Sequence, residues 1–280
     1  MKYEVLKLKD YFPQIPQTTD FEATLSVYCQ DNSEEIEAKR KHPAVLICPG
    51  GGYAFTSDRE AEPVALSFLP HGINAFVLRY SCAPERYPVA LLQAAAAMTL
   101  IRRKAEEYGV DPKKTAVLGF SAGGHLACSL GELWGEPFVT ETLGLRDRRE
   151  DRPNAMVLCY PVISSGALAH RGSFDVLLGE NPGTELLEKV SLEKQVSTDT
   201  PPAFIWSTFD DQAVPTENSL LLAAALRKNN IPFELHIYPK GVHGLSLCGP
   251  QTAGAPELIN PHCGTWFNLC LEWLEQTLGF

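Results

Sequence analysis

Val117-Leu118-Gly119-Phe120-Ser121-Ala122-Gly123-Gly124-His125-Leu126-Ala127 joins two patterns. An apolar run of strand formers ends at Gly119, a helical pattern opens just after Ser121, and the serine is left on the corner between them. This is the sequence form of a nucleophile elbow. A sharp strand-to-helix turn brings the backbone close to its neighbours and strains the serine, so small residues are needed at Gly119, Ala122 and Gly123. Gly-x-Ser-x-Gly is also a common loop pentapeptide; the strand before it and the helix after it favour the elbow.

On both sides of the elbow, strand-like and helix-like stretches alternate. Residues 3–8 and 21–29 alternate apolar and polar positions, as expected of an antiparallel pair at a sheet edge. Ala44-Val45-Leu46-Ile47-Cys48 is a short continuous apolar run, the pattern of a strand buried on both faces, and it ends in Pro49-Gly50-Gly51-Gly52-Tyr53. A helix is predicted over 59–69, a strand over 74–80, and a long Ala-rich helix from Pro88 to Tyr108 with Gly109 just past its end. The elbow strand starts at Thr115 and the elbow helix runs to Trp134. Further strands are expected over 155–160, 203–207 and 233–238, and helices over 217–229 and 266–278. In the last helix Trp266, Leu269, Trp273 and Leu274 recur at helical spacing and read as core. The alternation implies an α/β fold with a mainly parallel sheet covered on both faces, and 1–280 as a single domain. Residues 135–153 and 161–201, rich in Gly, Pro, Ser and charge, break the alternation, with one short helix suggested near 185–190. They read as rim or lid segments at the elbow edge, or as plain surface loops.

Composition bounds the partners. The 280 residues are 45% hydrophobic and 21% charged, ordinary values for a globular chain, and the net charge of −10 provides no general field to attract nucleic acid or an anionic membrane. A neutral or cationic small molecule is the easier partner. The N-terminal residues lack the apolar core of a signal peptide and no stretch has the length of a membrane span, so a soluble, cytoplasmic protein is expected. The eight cysteines lie largely within apolar runs and read as free buried thiols. With no Cys-x-x-Cys pair and no zinc-like histidine spacing, a metal site has little support.

A serine hydroxyl is a weak nucleophile at neutral pH and needs a base, which in turn needs an acid to orient it. With an elbow serine the chain order is Ser, then Asp or Glu, then His, with the later two in loops after later strands. Thr208-Phe209-Asp210-Asp211-Gln212-Ala213-Val214-Pro215 and Pro239-Lys240-Gly241-Val242-His243-Gly244 supply them. His243 is the candidate base: His42, His71, His170 and His262 sit in segments with no strand end facing the elbow, His236 lies within the last strand, and His125 is expected to pack or cap. Asp210 and Asp211 both stand where the acid belongs; only one would face the histidine, because two buried carboxylates would repel. Backbone N–H groups of Gly51, Gly52 and Ala122 are the candidate oxyanion donors. The glycine loop lacks the endings of a P-loop or a dinucleotide site, which leaves phosphate binding a minor alternative.

These residues together resemble the α/β-hydrolase superfamily, and within it the carbohydrate-esterase branch related to acetyl xylan esterases and hormone-sensitive-lipase-like esterases. The resemblance rests on Cys48-Pro49-Gly50-Gly51-Gly52-Tyr53, Leu78-Arg79-Tyr80-Ser81-Cys82-Ala83-Pro84-Glu85, Gly119 to His125, Pro201-Pro202-Ala203-Phe204, Asp211 to Asn218 and Gly241-Val242-His243-Gly244, and covers residues 40–278. It implies Asp211 as the acid, because Asp-x-x-Val-Pro is the spacing of this loop in related hydrolases. It also implies a serine carboxylesterase acting on short acyl esters, such as acetyl groups on sugars or xylo-oligosaccharides, with no metal or organic cofactor. Pro49 stands where the lipases have histidine, which argues against a large separate cap, and Gln93 stands where related esterases often have an acid. Two other readings are a peptidase of the prolyl-oligopeptidase type, whose large additional domain would not fit in 280 residues, and a non-catalytic hydrolase-fold binding protein. Oligomeric state is left open.

Overall fold

The computed structural model describes residues 1–147 and 149–280. Among them the strands form one eight-stranded sheet in the order β1-β2-β4-β3-β5-β6-β7-β8. The strands are β1 (Lys2–Lys7), β2 (Thr24–Cys29), β3 (His42–Cys48), β4 (Asn74–Arg79), β5 (Val110–Phe120), β6 (Ala155–Cys159), β7 (Ala203–Thr208) and β8 (Phe233–Tyr238). β1 and β2 pair antiparallel, with Leu6 opposite Leu25, and β2 runs antiparallel to β4; from β4 to β8 every pairing is parallel.

The continuous apolar runs follow from burial on both faces. Leu46, Phe76, Leu78, Val117, Leu158 and Ile205 point into one core. Val45, Ile47, Val77, Leu118, Val157, Phe204 and Trp206, offset by one position, point into the other. Each such side chain contributes about 1.5–3 kcal/mol on burial, so the middle of a strand covered on both sides is apolar, and buried polar residues such as His42, Asn74 and Thr208 stand at strand ends. Helices α2 (Val89–Arg103), α3 (Ala122–Leu133) and α7 (Glu217–Lys228) cover the first face. α1 (Glu62–Phe68) and α8 (Trp266–Leu278) cover the second, where Trp266, Trp273 and Leu274 are buried and Trp266 stacks on Trp206 at 5.3 Å.

Several boundaries differ from those expected. The helix predicted over 59–69 is a 3₁₀ turn, Asp58–Glu60, followed by α1. α2 stops at Arg103 rather than Tyr108, and the chain turns through Lys104 to Gly109, whose φ is +60°. β5 pairs with β3 first at Val110 and then, after an irregularity, from Thr115 onward.

The two irregular stretches contain helices α4 (Pro137–Leu143), α5 (Arg171–Leu178) and α6 (Thr184–Lys189), of which only the last was expected. Residues 149–153 do not border the elbow. Arg102 donates to the Glu150 carbonyl and to Thr115 and Asn154, which places this stretch where the parallel strands begin. The reason is geometric: a helix following an elbow strand carries the chain back to the opposite edge of the sheet. Arg148, within the same expected rim segment, lies outside the described residues. Residues 161–201 begin on the elbow side, where the Val162 N–H donates to the Ser121 carbonyl, and end at the far side, where Arg152 donates to the Asp199 carbonyl. All eight cysteines are free, seven of them buried and Cys82 partly so.

Candidate active site

β5 delivers the chain to Ser121, which has φ 54° and ψ −119°. A left-handed φ in a non-glycine residue is strained and persists only when its surroundings fix it. They do so here: the Ser121 N–H donates to the Cys159 carbonyl at 3.0 Å, and the Ser121 carbonyl accepts from His125 and Val162. The turn is also too tight for bulk. A Cβ on Gly119 would stand 2.0 Å from the Gly123 carbonyl oxygen, and one on Gly123 would stand 2.1 Å from that of Cys48.

The loops after β7 and β8 bring the other two residues to the serine. His243 Nε2 lies 2.7 Å from Ser121 Oγ, and His243 Nδ1 lies 2.6 Å from Asp211 Oδ2. With Nδ1–H donating to the carboxylate, Nε2 is the free acceptor for the serine hydroxyl. Asp211 is fixed from behind, because its Oδ1 accepts from the Ala213 and Val214 N–H groups, each at 2.9 Å, and its side chain is closed to solvent. Asp210 instead faces outward and pairs with Lys240 at 3.0 Å. The adjacent carboxylates therefore avoid a shared burial.

The donor loop follows β3, which lies beside β5. A Cβ on Gly50 would sit 3.1 Å from Ser121 Cβ, so the loop runs directly against the serine. The N–H groups of Gly51, Gly52 and Ala122 make no hydrogen bond with another group among the described residues, and Ala122 opens α3, where a helix leaves its first N–H groups free. The loop is anchored at several points. Tyr80 OH donates to the Pro49 carbonyl at 2.6 Å, Gly50 N–H donates to Glu60 Oε2 at 2.8 Å, and Tyr53 OH bonds His125 Nδ1 at 2.8 Å. His125 also donates from Nε2 to the Val190 carbonyl, and burial lowers its pKa to about 4, so it is a neutral brace, as its position on α3 suggested. Gln93, the residue that departs from the related esterases, is buried and holds Ser81 by accepting from its N–H and donating to its hydroxyl, both at 2.7 Å.

Sequence reasoning missed three residues near the site. His170, set aside for want of a neighbouring strand end, is at the N-terminus of α5, where its Nδ1 lies 2.8 Å from Ser173 Oγ. Partial burial, and then the nearby His243, hold its pKa below the ordinary histidine value. Ser173 Oγ in turn is 3.8 Å from where a Cβ on Gly52 would be, so α5 walls the donor loop with polar groups. Glu60 and Tyr160 are both buried; Tyr160 OH donates to Glu60 Oε1 at 2.7 Å, and the Tyr160 ring meets His243 edge-on at 5.1 Å. Burial raises the Glu60 pKa, against the pull of its Tyr160 and Gly50 hydrogen bonds and of His243. No local pattern signals these contacts, because Glu60 and Tyr160 are a hundred positions apart.

The sequence is similar to several characterised proteins. It is 39% identical over 220 residues to endo-1,4-beta-xylanase B of Butyrivibrio fibrisolvens, covering 75% of this chain and 34% of that protein. It is 29% identical over 242 residues to the acetylxylan esterase of Xylanibacter ruminicola, covering 84% of this chain and 44% of that protein. The chain thus spans between a third and a half of these two relatives. The crystal structure of an acetyl ester-xyloside bifunctional hydrolase from Caldicellulosiruptor lactoaceticus superposes with a TM-score of 0.86 at 39% identity, over 99% of this chain and 97% of that one. The sequence model of the BD-FAE family matches residues 31–226, well over half of the chain. On this match and on the fold, the chain belongs to the BD-FAE family of α/β-hydrolase-fold esterases.

Proposed function

We propose that this protein is a serine esterase that removes acetyl groups from acetylated carbohydrates, xylo-oligosaccharides in the first place. The observation that carries the reading is the unbroken relay from Ser121 through His243 to the buried Asp211, at 2.7 and 2.6 Å, beside three backbone donors with no other partner among the described residues. Ser121 Oγ attacks the ester carbonyl as its proton passes to His243 Nε2, and Asp211 holds the resulting imidazolium in place. The carbonyl oxygen, now negative, sits among the N–H groups of Gly51, Gly52 and Ala122. Collapse of the tetrahedral intermediate expels the alcohol, which takes the proton from Nε2. Water then attacks the acyl-serine, giving its proton to Nε2, and a second collapse frees the acid and restores Ser121.

The surroundings favour a small acyl group on a polar alcohol. His170, half-buried, stands beside the donor loop with the buried Ser173 behind it, and Phe209 and Val242, directly before the Asp210-Asp211 pair and His243, are 69% and 44% exposed. Polar groups mixed with exposed apolar faces suit a sugar ring better than a long hydrocarbon chain. The similarity to an acetylxylan esterase and to an acetyl ester-xyloside hydrolase points the same way.

Initial rates on p-nitrophenyl acetate and palmitate, with acetate release from acetylated xylo-oligosaccharides, test the reading. The acetyl ester is expected to exceed the palmitoyl ester in kcat/KM by about tenfold or more, and the oligosaccharides to release acetate. Equal rates on the two esters, or inert oligosaccharides, would contradict it.

A further inference from the structure

We propose that Glu60 is a positioning residue that locks the oxyanion loop and the catalytic histidine loop into one register, with Tyr160 as the link between them. This rests on the ester-hydrolysis reading and adds a role that the Ser-His-Asp relay does not contain.

Glu60 sits in the 3₁₀ turn before α1, not in any of the three loops that carry the relay, and it is 4% exposed. Its two carboxylate oxygens hold different parts of the site: Oε2 accepts from Gly50 N–H at 2.8 Å and Oε1 accepts from Tyr160 OH at 2.7 Å. Gly50 is the residue packed against Ser121. Tyr160 directly follows β6 with a left-handed φ of 37°, packs its ring in a T-shaped contact with that of His243, and accepts at its hydroxyl from Ser246 N–H at 2.9 Å. Ser246 lies three residues beyond His243. The Glu60 carboxylate is therefore shared between the donor loop and the base loop.

The same turn grips the histidine loop by other contacts. Arg59 donates from Nη2 to the Gly244 carbonyl at 2.7 Å and from Nε to the Thr252 carbonyl at 2.5 Å, while Ser246 Oγ donates to the Arg59 carbonyl at 2.7 Å. Trp266 of α8 donates to the Ser246 carbonyl at 2.9 Å. These contacts account for holding the loop to the body of the protein without Glu60. A buried carboxylate is destabilising unless both oxygens are engaged, and here the engaged groups are those whose relative placement sets the distance between oxyanion donors and base. A displacement of about 1 Å in such a constellation costs roughly a hundredfold in rate.

The test compares wild type, Glu60→Gln, Tyr160→Phe, the double variant and Ser121→Ala on p-nitrophenyl acetate, with the number of reactive sites per chain titrated by a stoichiometric phosphonate. Glu60→Gln keeps the shape and one acceptor; Tyr160→Phe keeps the ring and loses the link. Each single variant is expected to lose roughly 10- to 100-fold in kcat, with KM within about threefold and a titre near one site per chain. The double variant is expected to fall no further than the worse single, because both break one link. Wild-type kcat in both singles, losses that multiply in the double, or losses explained by a reduced titre would each overturn the proposal. Should Glu60→Gln fail to fold, Tyr160→Phe decides alone by the same criteria. Turnover that is present in wild type and absent in Ser121→Ala, yet intact in the other variants, overturns the positioning role only; a wild-type protein without ester turnover overturns the reading beneath it as well.

Discussion

Asp211 commits both carboxylate oxygens to the site, Oδ2 to His243 and Oδ1 to two backbone N–H groups, whereas Asp210 pairs with Lys240. Replacing Asp211 by Asn turns an acceptor into a donor opposite Nδ1, so that the imidazole loses the tautomer that leaves Nε2 free. Asp211→Asn is expected to lower kcat by about three to four orders of magnitude, and Asp210→Asn, at a solvent-facing ion pair, to stay within about twofold of wild type. Steady-state kinetics at neutral pH on both variants checks this, and a larger fall in Asp210→Asn would contradict it. The residues alone left Asp210 and Asp211 equally placed, and only the resemblance, through the spacing Asp-x-x-Val-Pro, pointed to Asp211; the Oδ1 caps on the Ala213 and Val214 N–H groups that distinguish it are seen only in the structure. Ser121 and His243 were legible because each stands just beyond an apolar run. Glu60, Tyr160 and His170 were not, since their partners are brought near only by the assembled sheet.

Among the elements, long apolar strands and helices were readable and short polar helices were not. α4 and α5 have seven and eight residues, each with two or three buried side chains, too few to set a period against the surrounding Gly, Ser and charge. α3 carries a consequence of its own. Its Glu132 accepts from Thr200 Oγ1 at 2.6 Å through Oε2, while Oε1 is closed off from solvent with no partner among the described residues. Burial raises its pKa from 4.5 to about 8. Below pH 4.5 both folded and unfolded chains keep the proton. Between 4.5 and 8 the unfolded chain releases it and the folded one does not, so stability falls as pH rises, by about 1.4 kcal/mol per unit. Above 8 the loss is complete. Glu132→Gln, neutral and of the same shape, removes this slope. Thermal unfolding at pH 5 and pH 9 should show a smaller drop in Tm for the variant than for wild type; equal drops would contradict the assignment.

At the scale of the whole molecule, the parallel sheet with two covered faces followed from apolar runs with no polar alternation, and the placement of ligand groups at the strand ends followed from the fold class. The strand order was not available from the same signals, because nothing local tells that β3 lies between β4 and β5. That order is what sets the donor loop after β3 directly beside the elbow after β5, with the acid and base loops arriving from β7 and β8 on the other side. The proposed mechanism uses one nucleophile among the serines of this chain, Ser121. Treatment with a fluorophosphonate followed by peptide mass mapping tests that most directly. A single adduct on Ser121, with ester hydrolysis lost in proportion to labelling and turnover in Ser121→Ala down by about four orders of magnitude or more, is the predicted result. Full inactivation with the adduct on another residue, or wild-type turnover in Ser121→Ala, would contradict it.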